Sequence, residues 1–309
     1  MVSTPETLHG VVPPVCTPLT PDLDVDVASL TRLVDFLLDA GVHGLFVLGS
    51  TSEVAFLPDA HRQRVVETVV GHVAGQVPVL AGAIDMTTLR VLDHARVAEK
   101  AGADGIVATA PFYTRTHPAE IDRHFRLLAS RLDLPVYAYD LPVSVHTKLP
   151  ADVLLALAAD GVLAGLKDSS GDDGALRATL LRSRDLPGFR VFTGSELTVD
   201  SALHMGAHGV VPGLGNVDPH GYVRLHDRCL AGDWAAAARE QNRLVELFDL
   251  VNAGDPNRMG RGSSALGAFK AALHLRGVID CPITMPPQIP LADNEIGQVR
   301  ARLVAAGLR

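Results

Sequence analysis

The sequence predicts an α/β fold, a (β/α)8 TIM barrel with a C-terminal helical extension, on three observations. First, a weak repeat, Ala40-Gly41-Val42-His43-Gly44, Ala101-Gly102-Ala103-Asp104-Gly105, Ala159-Asp160-Gly161-Val162 and Met205-Gly206-Ala207-His208-Gly209, closes helical patterns and opens apolar runs. Glycine just past a helix end supplies the left-handed cap, so each repeat marks a helix-to-strand junction. Second, most of the apolar runs are continuous rather than alternating, as in parallel strands covered by helices on their outer face. Third, eight such runs alternate with eight amphipathic patterns before residue 232. A doubly wound open sheet is the competing arrangement. No G-x-G-x-x-G follows the first strand, and the even spacing favours closure.

The expected strands are 10–17, 44–49, 78–83, 105–110, 135–140, 163–167, 189–194 and 209–214. The expected helices are 27–40, 58–74, 87–101, 118–131, 150–159, 173–183, 196–205 and 219–231, with Pro58, Pro118, Pro150 and Pro219 where first-turn prolines are tolerated. Residues 1–231 form the barrel that carries the site. Residues 232–309 form the extension, with helices at 234–251, 264–275 and 294–306 and a linker at 252–263.

Composition excludes several classes. The chain has 309 residues, 47% hydrophobic and 20% charged, ordinary for an enzyme with a sizeable core. A net charge of -8 leaves no basic footprint for nucleic acid or an anionic membrane. Three cysteines without metal-like spacing predict reduced thiols in the cytoplasm. Residues 1–6 lack the basic-then-apolar pattern of a secretory signal, and no apolar run is long enough to span a bilayer.

The four lysines narrow the chemistry. Lys100 ends an exposed-looking helix, Lys148 lies in a loop and Lys270 in a C-terminal helix. Lys167 alone ends a strand expected to be buried on both faces, within Leu163-Ala164-Gly165-Leu166-Lys167-Asp168-Ser169-Ser170. A buried ammonium is either paired, here with Asp168 or another acid, or shifted toward the neutral amine. A neutral amine at a pocket mouth attacks a ketone to form a Schiff base.

In a barrel the chemistry collects at the C-terminal ends of the strands. Those ends read Gly49-Ser50-Thr51-Ser52-Glu53, Pro111-Phe112-Tyr113-Thr114-Arg115, Tyr139-Asp140-Leu141-Pro142, Lys167-Asp168-Ser169-Ser170-Gly171, Gly194-Ser195-Glu196 and Val211-Pro212-Gly213-Leu214-Gly215-Asn216. Neighbouring strands lie ~4.8 Å apart, so Tyr139 and Lys167 can face one pocket. Glu53 is expected to hold its turn. His43 and His208 are expected as solvated caps at helix–strand junctions. No His/Asp/Glu cluster has metal-ligand spacing.

In this order G-S-T-x-E, Y-D-x-P and G-L-K-D-S-S-G-D resemble the dihydrodipicolinate synthase/N-acetylneuraminate lyase family, with the tyrosine after strand 4 and G-N-V after strand 8 in their places. The resemblance covers nearly the whole chain. It implies a class I, pyruvate-dependent aldolase or lyase that uses no metal or separate cofactor, only a covalent imine on Lys167. Tyr139 would shuttle protons, Ser50 would relay them, and Tyr113 would complete the relay, in many relatives from a neighbouring subunit. Ser50 and Thr51 would hold the pyruvate carboxylate, while the Gly194 and Val211 backbones line the imine. A homodimer or homotetramer follows from a shared tyrosine.

The chain departs from the synthase pattern after strand 5. Ser144 stands where dihydrodipicolinate synthases carry an arginine for the second substrate's carboxylate, His146 replaces a glycine, and Asp140 replaces the usual asparagine. An arginine clamp is not replaced by serine without loss. The reading is therefore an aldolase or lyase joining pyruvate and an aldehyde in a hydroxy-oxo acid or deoxy sugar acid, its acceptor end shaped by Ser144 and His146. The alternatives are a dehydratase on a 2-oxo sugar acid, 4-hydroxy-tetrahydrodipicolinate synthase, and a non-catalytic oxo-acid sensor.

Overall fold

Eight short parallel strands carry the fold: β1 (Gly10–Val11), β2 (Leu45–Val47), β3 (Val79–Gly82), β4 (Gly105–Thr109), β5 (Val136–Asp140), β6 (Gly165–Asp168), β7 (Arg190–Thr193) and β8 (Gly209–Val210). The structure is a computed structural model and describes residues 8–308, so the expectation for residues 1–6 lies outside it. The strands pair in the order β1-β8-β7-β6-β5-β4-β3-β2. A parallel bridge between Pro14 and Phe46 joins the two ends, with Val15 N–H donating to the Phe46 carbonyl at 2.8 Å and Phe46 N–H to that of Pro13 at 3.0 Å. The result is the expected (β/α)8 barrel.

Its helices are α1 (Val27–Asp39), α2 (Asp59–Val73), α3 (Thr88–Ala101), α4 (Pro118–Ala129), a one-turn α5 (Pro142–Val145), α6 (Ala151–Ala159), α7 (Asp173–Ser183), α8 (Val199–His204) and α9 (Pro219–Leu230). The extension adds α10 (Trp234–Phe248), α11 (Arg261–Leu275) and α12 (Asp293–Ala305). Gly41, Gly102, Gly161 and Gly206 have φ of 80°, 89°, 68° and 101°, the left-handed conformation that the repeat required. One apolar cluster fills the space between sheet and helices. A second, including Val12, Phe46, Leu80, Val107, Tyr137, Tyr139 and Phe192, fills the barrel interior.

Several boundaries differ from expectation. The first and eighth strands are much shorter, because Pro13, Pro14 and Pro212 offer no N–H to a ladder. Past β8 the chain forms a 3-10 turn at Gly213–Asn216, where Asn216 donates to the Pro14 and Gly213 carbonyls and accepts from Cys16 N–H, sewing strand 8 to strand 1. The helix expected from residue 196 begins at Val199, since Glu196 turns inward to accept from Gly213 N–H at 2.8 Å. The expected linker is not loose: Gly254 N–H donates to Ser264 Oγ, Asp255 N–H to Glu295, and α11 already starts at Arg261.

Two expectations about charged groups need correction. Lys167 is not the only buried lysine: Lys270 on α11 is 1% exposed. It pairs with Glu53 and donates to the Ile283 carbonyl at 2.7 Å. Helical periodicity alone does not reveal that this face of α11 lies against the turn after β2. His43 and His208 are half-buried rather than solvated, each using Nδ1 to accept a strand N–H, from Val11 at 3.1 Å and Val191 at 3.0 Å. Burial holds both imidazoles below their ordinary pKa.

Candidate active site

Strand alternation decides what faces the barrel interior. Tyr139 and Lys167 are register partners on β5 and β6, and both point inward. Lys167 Nζ stands 4.2 Å from the centroid of the Tyr139 ring and 5.0 Å from that of Phe46. Leu8, Val12, Leu80, Val107 and Phe192 form an apolar floor beneath it. No carboxylate among the described residues pairs with Lys167, and Asp168 faces Lys148 instead. The amine, 8% exposed at the residue level, is thus held among aromatic rings and left uncommitted.

Ser50 Oγ lies 3.5 Å from Tyr139 Oη, longer than a closed hydrogen bond but within reach of one, as is common before substrate tightens a site. The turn carrying Ser50 and Thr51 is fixed from below. Ser52 Oγ donates to the Val15 carbonyl at 2.5 Å, Thr17 donates to the Ser52 carbonyl, and Glu53 adopts φ 63°. Glu53 turns its carboxylate inward to Lys270 and Met285 N–H, so it does hold the turn, by tying it to the extension. The Ser50 and Thr51 N–H groups have no partner among the described residues.

Gly194 must be glycine for a local reason. A Cβ there would overlap the Ser169 hydroxyl and come within 3.2 Å of Lys167 Cε. Val211 is buried on the same floor, its N–H donating to the Thr193 carbonyl at 2.8 Å. Six of the expected residues, Lys167, Tyr139, Ser50, Thr51, Gly194 and Val211, therefore gather at one end of the barrel. Tyr113 does not join them: it is 89% exposed, with φ 78°. Ser144 lines the neighbouring cleft, whereas His146 is exposed, caps α5 in a left-handed conformation, and is not part of the lining.

Sequence reasoning missed how the charged groups behind Lys167 and Tyr139 pair. Asp140 and Asp168 follow Tyr139 and Lys167 and are themselves register partners, so they face outward between barrel and helices. Lys148 reaches both, pairing with Asp140 and standing 3.8 Å from Asp168. Leu149 N–H donates to Asp140 at 3.1 Å and Ser170 N–H to Asp168 at 2.8 Å. Burial raises the Asp140 carboxyl above its ordinary pKa against the opposing pull of Lys148. The signal was present: two carboxylates one step past an inward-facing pair must be buried outward and need a cation, and Lys148 follows Asp140 closely in sequence. Glu196 was also passed over. Its carboxyl, raised by burial, sits between the ends of β7 and β8 within the field of Lys167.

Beside Ser50 opens a cleft of about 450 Å³. The β2–α2 turn, the ends of β3 and β4, α5 and the start of α11 form its walls, so the extension supplies part of the site.

Comparison with known proteins agrees with the fold. A sequence model of the dihydrodipicolinate synthetase family matches residues 7–306. An uncharacterised DapA-like lyase of Halobacterium salinarum is 34% identical over 301 residues, covering 97% of this chain and 95% of that protein. A 4-hydroxy-tetrahydrodipicolinate synthase of Laribacter hongkongensis is 32% identical over 97% of this chain and 99% of its own length. Among solved structures, YagE of E. coli K12, a dihydrodipicolinic acid synthase family protein in complex with pyruvate, superposes with a TM-score of 0.91 at 29% identity, covering 98% of this chain and 99% of its own. A monomeric dihydrodipicolinate synthase variant reaches the same TM-score at 25% identity over the full length of both chains.

Proposed function

Because the chain belongs to the dihydrodipicolinate synthetase family of lyases, we propose that it is a class I aldolase or lyase in which Lys167 forms a Schiff base with pyruvate and joins it to, or releases it from, an aldehyde. One observation carries the reading. The Lys167 amine has no ion-pair partner among the described residues and lies over the ring of Tyr139, whose hydroxyl stands 3.5 Å from Ser50 Oγ.

The Lys167 nitrogen adds to the pyruvate ketone, and the resulting carbinolamine loses water to give the iminium. Loss of a methyl proton yields the enamine, whose carbon adds to the aldehyde while the aldehyde oxygen takes a proton. Water then releases the 4-hydroxy-2-oxo acid and restores the amine. Cleavage runs the same steps backward. Tyr139 moves the protons with Ser50 as relay, and the free Ser50 and Thr51 N–H groups receive the carboxylate. Gly194 leaves the space beside Lys167 Cε to the Ser169 hydroxyl. Tyr113, exposed on a single chain, completes the relay from a neighbouring copy in a dimer or a dimer of dimers. The absence of an arginine at Ser144 speaks for a hydroxy-oxo acid product other than that of 4-hydroxy-tetrahydrodipicolinate synthase.

The test is sodium borohydride reduction in the presence of pyruvate, followed by peptide mapping. A reduced pyruvyl adduct on Lys167 is expected. An adduct on Lys148 or Lys270, or none, would overturn the mechanism.

A further inference from the structure

The wall of the cleft beside Ser50 is largely apolar where an acceptor would lie, with Ser144, Ser263 and Gln288 as further polar lining residues. Phe56, Ile84, Phe112, Leu141, Val145 and Leu266 are its larger side chains. Among the described residues no lysine, arginine or histidine lines it. Its one ionisable lining residue is Glu53, whose carboxylate is already engaged by Lys270 and Met285 N–H. The polar groups nearest the catalytic pair are Ser50 and Thr109. Thr109, register partner of Tyr139 on β4, has a buried Oγ1 without a hydrogen-bond partner.

Resting on the imine chemistry proposed above, we infer that the acceptor, or the departing aldehyde in cleavage, is uncharged and carries an aryl or branched alkyl group. A carboxylate or phosphate entering this cleft loses water and finds no counter-charge, which is costly. A polyhydroxylated chain gains less, since hydroxyls laid on the apolar part of the wall go without a partner. A benzene ring or a short branched chain gains from the same wall, and about 450 Å³ is within the range of small-molecule sites. The hydroxyls lie where the reaction needs them. The aldehyde oxygen becomes an alcohol next to Tyr139, and Thr109 and Ser50 are the groups available to bond it. The bond that forms or breaks joins the enamine carbon to the carbonyl carbon, the oxygen gains or loses one proton, and no redox partner is required. This assignment departs from the expectation drawn from the sequence, in which a deoxy sugar acid was one reading and His146 helped shape the acceptor end.

The experiment has two arms. In the first, condensation of saturating pyruvate with benzaldehyde, isobutyraldehyde, glyceraldehyde and aspartate semialdehyde is compared by kcat/KM in wild type, Phe56→Ser and Phe112→Ser. Benzaldehyde should exceed glyceraldehyde and aspartate semialdehyde by at least ~10-fold. Each serine variant should lower its value several-fold, since each removes part of the apolar wall that the ring would cover. Borohydride trapping of pyruvate should stay at the wild-type rate in both variants. In the second arm, binding of benzyl alcohol and of glycerol to Lys167→Ala and to Lys167→Ala/Phe112→Ser is measured by calorimetry. Benzyl alcohol should bind at least ~10-fold more tightly than glycerol to the first protein, and lose that margin in the second. If pyruvate fails to trap but the benzyl alcohol margin holds, the imine mechanism falls and the apolar cleft stands. A preference for glyceraldehyde or aspartate semialdehyde, or a margin unchanged by Phe112→Ser, overturns the inference.

Discussion

Lys270→Met should destabilise the protein strongly although Lys270 takes no part in the proposed chemistry. The Lys270 side chain is 1% exposed and its Glu53 partner 0%. Removing the ammonium strands a carboxylate that keeps only the Met285 N–H, and it deprives the Ile283 carbonyl of its donor. Breaking a buried ion pair by removing one partner costs roughly 3–5 kcal/mol. At about 2 °C per kcal/mol, the lower end for chains of this size, Tm should fall by ~6–10 °C. Glu53→Gln should fall by a comparable amount, since it leaves the ammonium facing an amide. The double variant Glu53→Gln/Lys270→Met removes both charges and should lose less than the sum of the singles, because contacting groups couple by 0.5–3 kcal/mol (an approximate range). Differential scanning calorimetry of the four proteins reads all of this. A shift below ~2 °C for Lys270→Met, or strict additivity in the cycle, would show that the pair does not hold the β2–α2 turn to α11 as argued.

Tyr139→Phe should reduce kcat for condensation by roughly 10²–10⁴ while leaving the fold intact by circular dichroism, and an unchanged kcat would remove Tyr139 from proton transfer. Lys148→Met should raise KM for the aldehyde by ~10-fold, the equivalent of one charge-assisted bond, with borohydride trapping of pyruvate little altered; adding Asp140→Asn should restore part of the loss, and a kcat effect without a KM effect would refute a loop-anchoring role. Stability should also decline in mild acid through His124 and His226, which burial, helped at His226 by the neighbouring His43, pushes down to about 4. Their unfolded value is about 6.5, so between pH 6.5 and 4 the unfolded chain binds protons that the folded chain refuses. Their contribution is therefore complete above 6.5 and is lost as pH falls, by up to ~1.4 kcal/mol per pH unit for each. Urea midpoints of wild type and His124→Leu should converge as pH drops from 7 to 5; parallel curves would count against it.

The sequence made the strand ends readable because a barrel puts reactive groups at a fixed place relative to an apolar run. Lys167, Tyr139 and Ser50 each end such a run or follow it by a few residues, and they meet in space. What stayed hidden depends on contacts between distant segments. That α11 buries Lys270 against Glu53 cannot be read from either segment alone, since an amphipathic helix does not name the surface it covers. The short β1 and β8 were legible in principle, because prolines at 13, 14 and 212 forbid a continued ladder, but the apolar composition outweighed that signal. His43 and His208 look like polar caps in sequence, and only strand register shows that their ring nitrogens replace ladder acceptors. The acceptor wall was least legible of all, being assembled from the β2–α2 turn, the ends of β3 and β4, α5 and α11.

The Asp140 carboxylate has a consequence for how this scaffold can change. One of its oxygens takes the Leu149 N–H and the other the Lys148 ammonium, so the segment from Leu141 to Thr147 leaves and returns to the same side chain. A segment pinned at both ends by one group is a removable cassette: its interior can be rewritten without passing strain to the strand bearing Tyr139. Ser144 and Val145, which touch the cleft, lie inside the cassette, while Lys148 and Leu149 are its fastenings. Acceptor preference in this chain can thus drift, or be redesigned, independently of the amine chemistry. Exchanging residues 141–147 for a foreign sequence of equal length should redirect aldehyde choice and still allow borohydride to trap pyruvate on Lys167.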